Sequence, residues 1–83
     1  MEHYLILARS VTYAQRMHKQ LERAGIRSQI LRPPREISGM GCAYALRIGM
    51  TDLTGALVTL HQAGLNPVQI FLYQFGAYQE VEE

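Results

Sequence analysis

The stretch LERAGIRSQI (residues 21–30) decides the interpretation of the fold, because much of it recurs as LHQAGLNPVQI at residues 60–70. Both copies contain a leucine, Ala-Gly, an aliphatic residue and Gln-Ile in the same order and with similar spacing. The second copy has one additional residue before Gln-Ile. A glycine in this place is typical of the left-handed residue that ends a helix, and strand-like residues follow it. The repeat therefore predicts two halves, each with a helix that ends at a glycine, Gly25 or Gly64, and with a strand after it.

Outside this repeat, the hydrophobic pattern predicts the remaining helices and strands. Residues 3–8 (HYLILA) form an apolar run of strand length, and apolar residues then recur every three or four positions, which is typical of an amphipathic helix capped by Ser10 or Thr12. A second helix follows Thr51 or Asp52, and the other predicted strands are residues 26–31, 42–48 and 67–73. Two strand-helix-strand halves predict an α+β fold, the ferredoxin-like βαββαβ sandwich, with a four-stranded antiparallel sheet and two helices on one face.

A chain of 83 residues is expected to close one hydrophobic core, so residues 1–83 are interpreted as a single domain with its core at about 3–74. Residues 75–83 are predicted to be an aromatic and then acidic tail beyond the last strand. Phe75 and Tyr78 in this tail are expected to cover the domain's own sheet edge, and contact with a second chain is the alternative.

Composition narrows the classes of function. The single cysteine permits no internal disulfide, and no leader or apolar run of membrane length is found, so a cytoplasmic protein without membrane contact is expected. The formal net charge of +1 gives no case for nucleic acid as a partner. His3, His18 and His61 do not fall at metal-ligand spacings, and neither a metal nor another cofactor is expected.

The long segment of residues 32–41 is predicted to be a loop between the second and third strands, and Cys42 follows it directly. This region is locally basic. Positive charge favours the thiolate form of a cysteine, which is its nucleophilic form, and Arg32, Arg35 and Arg47 are the candidate sources of that charge. The alternative stays open, since a free cysteine commonly serves as a small buried hydrophobic residue.

Two parts of the chain carry a resemblance to a known family. Ser10, Val11, Thr12 and Ala14 match the phrase S-V-T-x-A before a helix, and the second part, PREISGMGCAYALRI at residues 34–48, matches P-R-x-[IL]-S, a cysteine and an A-L-R strand. In these positions and over residues 4–74 the chain resembles the family of selenium and sulfur carrier protein-like domains, formerly a domain of unknown function. One departure is that Ala43 follows the cysteine where the family typically has glycine.

The resemblance implies a sulfur or selenium carrier, rather than an independent enzyme. Cys42 would accept the atom as a persulfide or perselenide from a donor such as a cysteine desulfurase or a selenocysteine lyase, and would pass it to an acceptor protein. Arg35 would stabilise the anion and Ser38 would donate a hydrogen bond. A homo-oligomer stays open.

The alternative class is a small interaction or regulatory domain whose cysteine serves only in packing. An RNA-binding sheet is disfavoured, because the predicted third strand offers Tyr44 alone among aromatic residues.

Overall fold

The computed structural model describes residues 2–38 and 44–82, with the side chain of Ser38 left out. The elements in chain order are β1 (His3–Ala8), α1 (Val11–Arg23), β2 (Gln29–Leu31), α2 (Arg35–Ser38), β3 (Tyr44–Ile48), α3 (Leu53–Gln62), β4 (Gln69–Gln74) and β5 (Ala77–Val81). Within the described ranges, no helix is long and apolar enough to cross a membrane.

The sheet is antiparallel throughout, with the strand order β2-β3-β1-β4-β5. The α+β class and the antiparallel sheet are thus confirmed, but the predicted count of four strands is wrong. The predicted tail contains a fifth strand, β5, which pairs with β4 through a two-residue turn at Phe75 and Gly76. Both turn residues have positive φ, 54° and 75°, as tight hairpin turns require. A phenylalanine with positive φ is unusual, so the sequence did not indicate a turn at this position.

The repeated sequence corresponds to two equivalent helix ends. Gly25 has φ 79° and Gly64 has φ 72°, so both predicted left-handed glycines are confirmed. The amide of Ile26 donates to the carbonyl of Leu21 at 2.9 Å, and the amide of Leu65 donates to the carbonyl of Leu60 at the same distance. These are the long hydrogen bonds of the Schellman motif, in which an apolar residue after the glycine packs back on the helix.

This motif also explains why the second strand is shorter than predicted. Ile26 completes the end of α1, and β2 therefore begins only at Gln29. The predicted third strand began at residue 42, but residues 42 and 43 lie outside the described residues and β3 is seen from Tyr44. The fourth strand begins at Gln69 and ends at Gln74.

The two helix starts differ. Ser10 is the N-cap of α1, as predicted, and its hydroxyl accepts a hydrogen bond from the amide of Tyr13 at 3.1 Å. Asp52 is the N-cap of α3, but its side chain makes no capping hydrogen bond. Of these two N-cap side chains, only that of Ser10 caps its helix with a hydrogen bond.

The main core lies between α1, α3 and one face of the sheet, which we call the helix face. Its buried residues come from both helices, from β1 and β3, and from the segment after α3. They are Ile6, Ala8, Ala14, Met17, Leu21, Leu46, Ile48, Ala56, Leu60 and Leu65. This core fixes α1 and α3 relative to the sheet.

The opposite face of the sheet, which we call the α2 face, carries a second, smaller cluster. Leu5, Leu7, Ala45 and Phe71 of the sheet are buried against Ile37 of α2. The expectation of a plain loop over residues 32–41 is therefore wrong at Arg35–Ser38, which form one helical turn, and its residues 39–41 lie outside the described residues. This turn starts after Pro34, whose carbonyl accepts from the amide of Ile37 at 3.1 Å. Proline is well suited to the residues that open a helix, since its φ is fixed near the helical value.

Candidate functional site

Cys42, the residue that the sequence singles out, lies outside the described residues. The chain on either side of it is described as far as Ser38, the last residue of α2, and from Tyr44, the first residue of β3. Arg35 lies at the start of α2 and is exposed. The predicted site is thus attached to a helical turn at one end and to a sheet strand at the other.

Strand register shows which end of the sheet Tyr44, the first described residue after Cys42, occupies. Tyr44 pairs with Ala8, the last residue of β1, and Ala45 pairs with Leu31, the last residue of β2. The end of β1, the end of β2 and the start of β3 therefore meet at one edge, which we call the Tyr44 end. Because α1 begins directly after β1, the N-terminus of this helix lies at the same end.

Two exposed arginines occupy the Tyr44 end, and each is held over a tyrosine ring. The guanidinium carbon of Arg9 lies 4.8 Å from the centroid of the Tyr13 ring. That of Arg32 lies 5.3 Å from the centroid of the Tyr44 ring. No carboxylate of the described residues forms an ion pair with either arginine. Arg9 and Arg32 thus place fixed positive charge beside the strand that follows Cys42.

The N-terminus of α1 adds to this charge. A helix carries about half a positive charge at its N-terminus, which acidic residues in the first turn usually offset. The first turn of α1 has no acidic residue, and Ser10 supplies a neutral cap. The positive end of the helix is therefore not compensated by its own side chains.

Arg32 was already a candidate in the sequence, whereas Arg9 was missed. Arg9 stands alone between a strand and a helix cap, and only the pairing of Ala8 with Tyr44 shows that it lies at the same sheet end as the start of β3. Arg47 was also a candidate. It lies opposite Gln29 and donates a hydrogen bond to the side-chain oxygen of that residue. It lies three strand positions from Tyr44, or about 10 Å at the usual rise per residue.

Contacts of α2 show how the turn before Cys42 is held. Ile37 is only 4% exposed and packs in the cluster that also contains Phe71 and half-buried Tyr78. Burial raises the pKa of Tyr78 above its ordinary value of 10.0, the negative charge of Glu36 raises it further, and Arg47 lowers it. The packing of Ile37 in this cluster and the effect of Glu36 on Tyr78 therefore show that α2 lies on the α2 face, close to β5.

The histidines have other contacts. Nδ1 of His18 lies 2.6 Å from the hydroxyl of Ser28, and His3 stacks on Tyr73 with 5.1 Å between ring centroids. Among residues 2–38 and 44–82, no group of three or more histidine, cysteine, aspartate or glutamate side chains is placed to hold a metal ion.

Comparison with protein families gives one finding. Residues 3–72 match the family described as "Putative Se/S carrier protein-like", and the chain belongs to this family. The match includes β1 through most of β4, and with them both segments around Cys42. Comparison with curated proteins and with solved structures found no match.

Proposed function

We propose that this protein carries sulfur or selenium as a persulfide or perselenide on Cys42. Membership in the carrier-like family supports the class of function. The observation that carries the assignment to this residue is the uncompensated positive charge at the Tyr44 end, formed by Arg9, Arg32 and the start of α1. Positive charge stabilises a thiolate, the form of cysteine that attacks sulfur.

The proposed transfer is a thiol exchange with balanced atoms and electrons. The Cys42 thiolate attacks the terminal sulfur of a persulfide on the donor protein, and a new S–S bond forms at Cys42. The S–S bond of the donor breaks, and its electron pair leaves with the donor's own sulfur as a thiolate. The acceptor protein receives the atom by the same exchange in the opposite direction. Selenium follows the same steps.

The roles of the neighbouring residues belong to this proposal. Arg35, four residues after β2, would stabilise the persulfide anion together with Arg32, and Ser38 would donate a hydrogen bond to it. Release of the atom needs no second cysteine in this chain, because the acceptor supplies the attacking group. The protein would thus serve as a carrier for a cysteine desulfurase or selenocysteine lyase type of donor, and not as an independent enzyme.

The proposed fold assignment is a ferredoxin-like single domain over residues 1–83, with β5 added at one sheet edge. The order β2-β3-β1-β4 and the packing of α1 and α3 on the helix face support it. A lone cysteine that must remain a free thiol suits a reducing compartment such as the cytoplasm.

The second candidate is a small interaction domain in which Cys42 only packs. Phe75 favours it, since this side chain is 89% exposed at the tip of the β4–β5 hairpin and its φ is positive. An aromatic residue that is both exposed and in an unfavourable backbone conformation is a candidate for contact with a partner.

Alkylation of the native protein separates the two candidates. A carrier requires an accessible thiol, so iodoacetamide should modify Cys42 in the folded protein at a rate within about tenfold of the rate in urea. Arg35→Ala should slow the native reaction at neutral pH, and Arg23→Ala, at the far end of α1, should leave it unchanged. A thiol that reacts only as the protein unfolds would support the interaction domain and contradict the carrier.

A further inference from the structure

The geometry points to a docking surface for an acidic protein partner at the Tyr44 end, with Arg9 and Arg32 as its anchors. The inference rests on the proposed function, because it assigns this surface to the protein that exchanges an atom with Cys42. It concerns the surface chemistry of the described residues, and it can be tested without any transfer reaction.

The tyrosine contacts prepare both arginines for carboxylates. A guanidinium over a ring gains cation–π attraction and keeps its charge, and it has five N–H donors for carboxylate oxygens. The side chain is also ordered in advance, so less rotamer entropy is lost when a ligand binds. Arg9 and Arg32 both have this arrangement, at 4.8 and 5.3 Å from their rings. Two guanidinium groups held over rings, without a carboxylate partner in the described residues, suit an acidic surface.

Helix α1, next to the Tyr44 end, also carries exposed positive charge. Along residues 3–21 the charged side chains are Arg9, Arg16 and Lys19, all basic, and the first acidic residues on either side are Glu2 and Glu22. Arg16 and Lys19 are exposed on α1. A partner with acidic side chains would therefore meet favourable potential along α1 as well as at the Tyr44 end, and this would raise its association rate.

The same contacts disfavour single-stranded RNA as the occupant. Proteins that bind single strands stack bases on exposed aromatic rings. The rings of Tyr13 and Tyr44 are each covered by a guanidinium, and the Tyr13 hydroxyl also accepts a hydrogen bond from the amide of Asn66 at 2.8 Å. The overall formal charge of +1 is low for a nucleic-acid surface.

The test is a backbone NMR titration with a hexaglutamate peptide, performed in the Cys42→Ala background so that no transfer can contribute. We expect saturable shifts at the amides of residues 9–12, 32 and 44, which weaken as salt is raised. The double variant R9A/R32A should raise the dissociation constant about tenfold, which corresponds to about 1.4 kcal/mol. The matched control is R23A, which removes an exposed arginine at the other end of α1 and should bind as the parent does.

Three results would overturn the inference: shifts that map elsewhere, equal binding by R9A/R32A and the parent, or tighter binding of a uridine octamer than of the peptide. Because the titration uses no thiol, its result is independent of the carrier assignment. Peptide binding at the Tyr44 end with an unreactive Cys42 would contradict the proposed function alone. A reactive Cys42 without peptide binding would contradict the docking surface alone.

Discussion

The helix face and the α2 face of the sheet are covered in different ways. Two helices of 13 and 10 residues cover the helix face, where buried residues of β1, β3 and both helices pack against each other. The α2 face has a single turn of four residues, which buries Ile37, and Tyr78 of β5 beside it. The helix face therefore provides most of the stability, whereas the cover of the α2 face is a small element that leads directly toward Cys42.

The largest expected effect follows from a cavity in the helix face. Leu46 is fully buried there, in the middle of β3. Leu46→Ala should lower the free energy of unfolding by about 3 kcal/mol, through lost burial and the cavity that remains. Urea unfolding followed by circular dichroism measures this value. A loss below about 1 kcal/mol would show that the helix face is not the main core.

The corresponding change on the α2 face should cost less. Ile37→Ala removes a buried side chain that α2 places on the sheet, and the turn can move to fill part of the space. We expect a loss of about 2 kcal/mol, at the lower limit for such substitutions. The same unfolding measurement applies, with Leu46→Ala as the matched comparison. A cost equal to or above that of Leu46→Ala would contradict the ranking of the two faces.

A smaller effect distinguishes the two helices on the helix face. Ser10→Ala removes the capping hydrogen bond to the amide of Tyr13 and should cost about 1 kcal/mol. Asp52→Ala removes a side chain that makes no such bond in α3 and should cost only a few tenths of that. Thermal unfolding of the two variants checks the difference. Equal losses would mean that Ser10 does not act as the cap.

The smallest effect concerns Tyr78 and appears only at alkaline pH. Its raised pKa means that the folded protein holds the hydroxyl proton more tightly than the unfolded chain does. The stabilisation is therefore complete below the unfolded pKa of 10.0 and is lost as the pH rises through the folded pKa. Tyr78→Phe should reduce the loss of stability above pH about 10, as measured by urea unfolding over a pH series. An unchanged alkaline profile would exclude Tyr78 as its source.

The parts of the fold that local chemistry specifies could be predicted from the sequence. Both glycine-ended helices, the cap at Ser10 and the strand His3–Ala8 depend on neighbouring residues, and all appear as expected. The fifth strand was missed, because Phe75 occupies a turn position where glycine or asparagine is usual and because Ala77–Val81 is short and mostly exposed. α2 was missed since a four-residue helix has too few residues to show a periodic pattern.

The residues of the candidate site could likewise be predicted only in part. The sequence predicts Cys42 and the arginines near it in the chain as the site, because residue type alone suggests the chemistry. It does not identify Arg9, which reaches the Tyr44 end only through the pairing of β1 with β3. Nor does it show that Arg47 lies further along β3 and donates a hydrogen bond to Gln29.

The most direct test of the account is the intact mass of the protein after incubation with a cysteine desulfurase and free cysteine. The account predicts a gain of one sulfur atom, which a reductant reverses and which is absent in Cys42→Ala. An unchanged mass in the parent protein, or the same gain in Cys42→Ala, would contradict the claim that Cys42 carries the atom.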